Sequence, residues 1–388
     1  MSADFLHGVE TVQVKASGGN LKTVKTSVIG LIGTAENDVT NELILCTSET
    51  DDALFGDTGT IPTALKIIRQ QYKSAIVFAI SIATTGTTPT AADFEGEIDA
   101  ITGVKTGLFL FEDCYSNFGF LPKIIIAPTY SATATIATLI RATALQFRAA
   151  AYIDSPLGMT IAAAKTSRGV SGVWNFSDYR AKLLFPGVVN SELGTLPLSP
   201  FAAGNRAAVD NNEGFWFSSS NHELQGVMGL ETLITSAIND PASDSNLLNA
   251  AGITTVFNTY GSGFREWGNR NSAFPTNTDP RTFESIQRLD DITSESIELA
   301  MLPFLDKPMN QAQIDLVSET VNSYFNNLIS KGALLPGSKC YFDKTKNTVE
   351  EMAAGHFVWT KEFMGAVPGE RLTFYSVIDT NLLSKLIS

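Results

Sequence analysis

The sequence predicts an α/β part with a layered, mainly parallel sheet, then an α+β part with an antiparallel sheet, and an extended arm at each terminus. Strand-like and helical patterns alternate over residues 23–240, which is typical of a parallel sheet covered on both faces by helices. Two long helical patterns and then strand-like runs fill residues 241–368. Residues 1–22 and 369–388 carry β-prone runs that glycine or proline separates from the body.

Residues 1–22 are predicted to form the N-terminal arm. Val9, Val12 and Val14 lie in a β-prone run, and Gly18 and Gly19 interrupt the chain after it. A strand this short cannot bury itself locally. We therefore expect it to dock on the sheet of its own chain or to reach another chain.

The α/β part is predicted to span residues 23–240. Its apolar, β-prone runs are expected to form strands at 27–33, 42–46, 75–83, 123–127, 149–153 and 181–185. Such continuous apolar runs are typical of strands that are buried on both faces. Apolar stripes at helical spacing predict helices over 61–72 and 136–147, with Ser131 as the N-cap of the second. Residues 84–97 are expected to form a surface loop.

Residues 246–271 combine a short helix, a strand and a glycine-rich turn. Gly252 is expected to end the helix, and the β-branched and aromatic residues at 253–257 predict a strand. Glycines 261 and 263 are expected to turn the chain, because glycine adopts backbone angles that are closed to other residues. The run 264–270 is expected to be a second strand-like segment.

The remaining sequence predicts long helices over 281–305 and 310–331. Strand-like runs follow at 338–342, 355–363 and 371–378, and a short amphipathic segment closes the chain at 381–387. The first long helix carries an acidic group that is expected to form a solvated face, or else to meet basic groups of a neighbouring subunit. This acidic group consists of Asp290, Asp291, Glu295 and Glu298.

Composition limits the classes of partner. The 388 residues carry a formal net charge of −13 and no basic run, which disfavours binding to nucleic acid. No apolar run approaches the roughly 20 residues that span a bilayer, and the first ten residues lack the features of a signal peptide. We therefore expect synthesis in the cytoplasm without membrane insertion. Charged residues make up only 17% of the chain, which fits either a surface covered by neighbours or a monomer with a Ser/Thr-rich surface.

No catalytic, cofactor-binding or metal site is predicted. The sequence has no GxxxxGK[ST] loop for a nucleotide and no G-x-S-x-G elbow for a nucleophilic serine. The histidines 7, 222 and 356 are far apart and lack metal-binding spacing. The cysteines are expected to be buried free thiols, namely Cys46, Cys114 and Cys340.

Residues 246–271, NLLNAAGITTVFNTYGSGFREWGNRN, closely resemble the core motif of contractile-tail sheath proteins, the family of contractile phages and R-type bacteriocins. Further landmarks follow in the family's order at residues 5–12, 26–35, 213–221, 226–229 and 306–309. Pro303 stands where an aromatic residue is common in the family. The structural motif that we single out consists of Gly263, Arg265, Trp267, Gly268, Asn269 and Arg270. A ligand clamp is the other interpretation of Trp267 and the two arginines, and a structural role is favoured.

The resemblance implies a structural, non-enzymatic subunit that polymerises as stacked hexameric rings around an inner tail tube protein. Contraction would follow from rearrangement between subunits and drive the tube through a target cell envelope. The baseplate and tail terminator proteins would be further partners. The protein would belong to a virion tail, or to a contractile injection particle, assembled in the host bacterial cytoplasm.

The resemblance also implies which surfaces meet other chains. The C-terminal domain at 241–368 would face the tube, with the 310–331 helix on the inner wall. The polar residues expected on that wall are Gln311, Gln313, Glu319 and Asn322. The arms, residues 1–22 and 369–388, would contact other subunits. The arm residues expected to make these contacts are Val9, Val12, Val14, Leu372, Phe374 and Val377.

An alternative function of a different class is a cytosolic α/β enzyme with a C-terminal cap domain. The alternating first half of the chain allows it, because such sheets host many activities. An enzyme would form a small closed oligomer, whereas a sheath protein forms long tubes.

Overall fold

The structure is a computed structural model that describes residues 21–37, 39–82, 88–258, 261 and 263–386. The run with Val9, Val12 and Val14 lies outside the described residues. The first strands are β1 (Ile29–Gly33), β2 (Leu43–Cys46), β3 (Val77–Ser81), β4 (Ile124–Ile126), β5 (Ala150–Asp154), β6 (Ala181–Leu184) and β7 (Val188–Asn190). The later strands are β8 (Gly194–Leu196), β9 (Val227–Leu230), β10 (Ile253–Asn258), β11 (Phe264–Trp267), β12 (Lys339–Phe342) and β13 (Trp359–Glu362).

The α-helices range from single turns to five turns. The first are α1 (Glu49–Asp52), α2 (Thr60–Gln71), α3 (Ala91–Glu95), α4 (Asp113–Phe118), α5 (Ala134–Gln146) and α6 (Ile161–Thr166). The later ones are α7 (Ser199–Asn212), α8 (Asp244–Ala250), α9 (Glu284–Met301), α10 (Gln311–Ser330) and α11 (Val349–Ala353). No helix of the described residues is both long and apolar enough to cross a membrane.

A mixed sheet of eight strands forms the centre of the molecule, in the order β11-β10-β6-β5-β4-β1-β3-β2. The six inner strands run parallel, and β2 and β11 are antiparallel edge strands. Every residue of β1, β3, β4 and β5 is buried, because helices cover both faces of the sheet. The prediction of a mainly parallel, layered sheet is confirmed.

Each face of this sheet has its own apolar core. On one face, α2 and α7 pack against each other and over the strands. Leu65 of α2, Phe201 of α7 and Tyr152 of β5 are fully buried in this core. On the other face α5 and the segment around Phe111 cover Phe78 and Ile125. The two cores are separate, as expected for a sheet sandwiched between helices.

The C-terminal part has a third, smaller core between α9, α10 and a two-stranded antiparallel sheet of β12 and β13. Leu289, Phe325 and Leu328 are buried there. Leu21 and Val24, at the start of the described chain, also pack against this core. The predicted antiparallel sheet is therefore present as the β12–β13 pair.

The main sheet crosses residue 240, where the sequence predicts a domain boundary. Strand β10 pairs in parallel with β6, with Ile253 opposite Leu183, and β11 adds to its far side. The hairpin assigned by the sequence to the C-terminal domain thus extends the sheet of the first part. The physical reason is that β10 is buried almost throughout, so it needs a partner strand and cover on both sides.

Several local predictions were wrong. Residues 84–97 contain α3, whose Thr90 makes a capping box with Asp93. Ser131 does not cap α5; its hydroxyl instead donates to the buried carboxylate of Asp154 at 3.0 Å. The predicted strand over 371–378 is not a strand in the single chain, because no other strand of the described residues lies beside it. The three-stranded sheet of β8, β7 and β9 was not predicted.

Candidate functional site

The described residues of the 246–271 segment fold as expected, with α8 followed by the β10–β11 hairpin; residues 259, 260 and 262 lie outside the described part of the chain. Gly252 follows α8 with φ of +73°, a backbone angle that favours glycine. Gly268 has φ of +136°, and a Cβ there would lie 2.9 Å from the Cα of Thr254. Close approach of two backbones therefore requires glycine at this point of the motif.

Trp267 connects the hairpin to α8. Its ring stacks on Phe257 with centroids 4.4 Å apart. Its Nε1 donates to the side-chain oxygen of Asn249 at 3.1 Å, and the Asn249 amide nitrogen donates to the Trp267 carbonyl at 3.0 Å. The Trp267 side chain is half-buried.

The other motif residues also contact the same chain. Gly263 turns the chain with φ of +85°, and Arg265 donates from Nη1 to the Asn221 carbonyl at 2.8 Å. The carbonyl of Asn269 accepts a hydrogen bond from the backbone N–H of Glu284 at 3.0 Å, the first residue of α9. The hairpin therefore contacts the preceding loop and the following helix, and a structural role remains the prediction for these residues.

Arg270 lies between the segment that precedes α9 and the start of the C-terminal arm. Its guanidinium donates to Thr282 Oγ1 at 2.6 Å and to both carboxylate oxygens of Glu370 at 3.2 and 2.7 Å. It lies over the ring of Phe283 at 3.5 Å and that of Phe274 at 4.8 Å. The motif thereby contacts the first residues of the C-terminal arm.

A groove of about 470 Å³ lies where the motif meets that arm. Trp267, Asn269, Pro368 and Arg371 are among the residues that line it. Beyond it, Leu372, Phe374 and Val377 are 75%, 88% and 84% exposed. Residues 267–270 of the motif therefore lie at the base of the arm, whereas the arm residues stay largely uncovered in the single chain.

A buried group of charges lies behind the hairpin, and sequence reasoning missed it. Lys182 in β6 donates from Nζ to Glu266, to Glu284 at 2.7 Å and to Ser219 Oγ at 3.1 Å. Asn205 in α7 donates to the other oxygen of Glu266 at 2.7 Å. A lysine inside the apolar run AKLLF was the available signal, because a lysine is almost never fully buried unless it is paired.

The burial of these groups is balanced by their mutual attraction. Burial alone would raise the pKa of the Glu284 carboxyl, but Lys182, Arg206 and Arg288 lower it to about 2. Burial alone would lower the pKa of Lys182, whereas Glu266 and Glu284 raise it. The Lys182 ammonium and the Glu284 carboxylate are therefore charged within the protein interior.

Further charged side chains connect this buried group to the segment that follows the N-terminal arm. Arg206 donates to Asp210 at 2.8 Å and to the Phe217 carbonyl at 2.7 Å. Arg288 pairs with Asp210 and donates to the carbonyl of Thr26 at 3.0 Å. Arg288 of α9 thus contacts both α7 and the start of the described chain.

The acidic residues of α9 are not a solvated face. Asp291 pairs with Arg180, and Glu295 pairs with Lys123, which is 3% exposed. Asp290 pairs with Lys361 at 2.6 Å, and Glu298 accepts two hydrogen bonds from Arg148. These contacts are all within one chain, so the prediction of a solvated, unpaired face was wrong. The alternative that this face meets basic groups of a neighbouring subunit stays a prediction. The basic partners lie far away in the sequence, on strands and loops that only the fold brings to α9.

Helix α10 presents a mixed face. Glu319 and Gln311 are exposed, as predicted. Asn322 instead holds β12, because its amide donates to the Cys340 carbonyl at 2.8 Å and accepts from the Cys340 N–H at 2.7 Å. Asn322 is therefore a structural residue and not part of a free polar surface.

The histidines and cysteines of the described residues do not form a shared site. His222 pairs with Glu213, and His356 pairs with Glu351. The three cysteines are buried free thiols, and burial raises the pKa of Cys340 to about 11. Among the described residues, no group of three or more His, Cys, Asp or Glu side chains is placed to hold a metal ion.

Comparisons with known proteins agree on one family. Residues 111–272 match the family model described as the phage tail sheath protein central domain. The chain is 36% identical to the tail sheath protein of Burkholderia phage BcepMu, over 100% of this chain and 99% of that protein. It is 26% identical to the tail sheath protein of Escherichia phage P2, over 100% and 98% of the two chains.

Solved structures share the fold at lower identity. The chain is similar to the sheath of an extracellular contractile injection system (PVC) in its contracted state, with a TM-score of 0.71 and 16% identity over 98% of this chain and 100% of that one. It is also similar to a chain of the contracted anti-feeding prophage (AFP) baseplate, with a TM-score of 0.73 and 17% identity over 96% and 99% of the two chains.

Replacing Lys182 by methionine should destabilise the protomer by about 3–5 kcal/mol, because two carboxylates would remain buried without their cation. Urea unfolding of the purified protein measures this loss. Lys339→Met is the control: Lys339 is 60% exposed and 3.5 Å from Glu362, so its loss should cost about 0.5 kcal/mol or less. Equal effects of the two variants would contradict the role given to Lys182.

Replacing Trp267 by alanine should lower the unfolding free energy by about 3 kcal/mol, through loss of the Phe257 stack and of apolar burial. Thermal melting measures the effect. Phe374→Ala, which removes an aromatic ring that is 88% exposed, should leave melting unchanged. If Trp267→Ala melted normally but abolished assembly, the residue would belong to an interface between subunits.

Proposed function

The chain belongs to the phage tail sheath protein family and is a subunit of a contractile tail sheath, and we propose that it polymerises as stacked hexameric rings around an inner tube. The observation that carries this function is 36% identity along the whole chain to a phage tail sheath protein. In this proposal contraction drives the tube through a target cell envelope. The inner tube, baseplate and tail terminator proteins are its partners.

The exposed C-terminal arm supports assembly through exchanged strands. Residues 371–378 are rich in β-branched and aromatic side chains, and Tyr375 and Ile378 are 92% and 91% exposed. Large apolar side chains in such numbers are typical of a surface that another chain covers. In the proposal, Leu372, Phe374 and Val377 are covered by a neighbouring subunit.

The β12–β13 sheet is the proposed acceptor of the arms. Each of its strands pairs with the other, and neither has a second partner strand among the described residues. An open sheet edge offers unpaired N–H and C=O groups to an incoming strand. The C-terminal arm would join one edge, and Val9, Val12 and Val14 of the N-terminal arm would join the other edge in another subunit.

The proposed contraction uses energy stored in the packing between subunits. The ion pairs of α9 and of Lys182 join the parts of one protomer, so rearrangement would take place at the arms between protomers. The alternative of a cytosolic enzyme finds no support in the relatives, which are tail sheath proteins. The proposed place of assembly is the host bacterial cytoplasm.

The tube is proposed to lie against the C-terminal part, residues 241–368. Helix α10 presents Asp315 and Glu319 at the surface, one helical turn apart. In this arrangement the helix lies on the inner wall, and the region of α3 lies on the outside of the sheath. This orientation places the exposed carboxylates of Asp315 and Glu319 next to the tube.

Deletion of residues 1–16 should yield a folded, soluble protomer that forms no tubes, because the strand offered to the neighbour is removed. Negative-stain microscopy and thermal melting measure the two properties. Deletion of residues 1–4, which leaves the β-prone run with Val9, Val12 and Val14 intact, should still give tubes. Normal tubes from the longer deletion would contradict the role of this arm.

Glu319→Lys should reduce the fraction of sheath that is loaded on inner tubes, because it reverses a charge on the proposed inner wall. Glu95→Lys, an equally exposed reversal at the end of α3, should have little effect. Electron micrographs of sheath co-assembled with tube protein measure the loading of both. A larger defect from Glu95→Lys would contradict the orientation.

A further inference from the structure

Two contacts hold the chain immediately before its exposed C-terminal segment. The N–H of Ala366 donates to the Ala333 carbonyl at 3.3 Å, which keeps the chain on the C-terminal core. Four residues later, Glu370 accepts two hydrogen bonds from Arg270. From Arg371 to Ile378 every residue is exposed and none belongs to a helix or strand.

The Arg270 side chain is held in place by contacts other than its ion pair with Glu370. Thr282 Oγ1 accepts from Nη1, and the ring of Phe283 lies against the guanidinium plane. The Arg270 side chain is only 15% exposed, whereas that of Glu370 is 44% exposed. An exposed ion pair usually contributes little, because two long side chains must be ordered. Here the arginine is already held by Thr282 and Phe283, and it makes two parallel hydrogen bonds to the Glu370 carboxylate. A bidentate pair of this kind fixes the orientation of the carboxylate relative to the guanidinium plane.

We infer that Arg270 is the positioning residue of the C-terminal arm, and that its ion pair with Glu370 sets the point and direction in which the arm leaves the body. The free part of the arm then begins at Arg371 rather than at Gly369, the first residue of the arm that the sequence predicts. A shorter free chain reduces the conformations that the arm must lose on reaching a neighbour. The use of this direction in assembly rests on the proposed function, but the ion pair lies within one chain.

The inference explains why the motif residue is an arginine. Lysine would keep the charge but could not contact both carboxylate oxygens and Thr282 in one plane. It would also stack less well on Phe283. Because Glu370 is exposed, the pair remains accessible to salt and can open when a subunit pivots against its neighbour.

The test measures the distance between two spin labels in the full-length chain, in the monomer fraction of size-exclusion chromatography. Ser323→Cys on α10 and Thr373→Cys in the arm are both exposed labelling sites. The native cysteines are buried, so they should not react. Loss of the ion pair increases the free residues up to the second label from three (371–373) to seven (367–373). The width of the distance distribution should then grow about 1.5-fold, as the square root of the chain length.

Glu370→Ala and Arg270→Lys should both broaden the distribution. Arg371→Gln is the matched control, because it removes an adjacent arm charge that makes no ion pair within the described part of the chain, and it should leave the width unchanged. Addition of about 1 M salt, which shortens the screening length to about 3 Å, should broaden the unsubstituted chain and leave Glu370→Ala unaffected. An unchanged width in Glu370→Ala, or equal broadening by Arg371→Gln, would overturn the inference.

Tube formation is measured for the same variants, so that failure of the positioning role can be distinguished from failure of the proposed assembly. If the unsubstituted chain forms tubes while Glu370→Ala keeps a narrow distribution, the sheath function stands and the positioning role is wrong. If no tubes form from the unsubstituted chain while the distribution broadens as expected, the positioning role stands and the proposed assembly is wrong. Thermal melting of Glu370→Ala should match that of Arg371→Gln, since the Glu370 side chain is 44% exposed and its ion pair contributes little to stability.

Discussion

The pairing of Lys182 with Glu266 and Glu284 is the interaction on which the arrangement of the molecule depends. It joins the middle of the main sheet to the β11 edge strand and to the first turn of α9. Removal of an ammonium group from water is costly, and only close carboxylates and hydroxyls offset that cost. The lysine therefore allows one position for the hairpin and one for the helix, in which both carboxylates reach it.

The charges next to this group connect the body to both arms. Asp210 of α7 pairs with Arg206 in its own helix and with Arg288 of α9, and Arg288 also donates to the Thr26 carbonyl near the N-terminal arm. Arg270, at the end of the hairpin, holds Glu370 at the start of the C-terminal arm. Both arms thus begin from points fixed on one body, which suits a protein whose subunits are proposed to pivot on their connections.

The 263–270 motif is explained by several separate contacts rather than by a binding site. Gly268 permits close approach to Thr254, and Trp267 binds Asn249 and stacks on Phe257. Arg270 reaches the arm. Each residue type follows from a different physical need: backbone space, a flat apolar ring with one donor, and a planar cation with several donors.

The sequence by itself determined the parallel sheet, the long helices and the family, because these depend on local periodicity and on a motif read directly from the chain. Its strands from 27–33 to 181–185 all appear in the structure. Only the tertiary structure decided the charge pairs: Lys182 is 84 and 102 residues from its two carboxylates, and Lys123 is 172 residues from Glu295. It also decided that β10 continues the main sheet, since a strand's partner is not encoded in its own residues. The sequence does not distinguish a buried charged residue from an exposed one. Its partner is distant in sequence, so only the fold determines which two charges are paired.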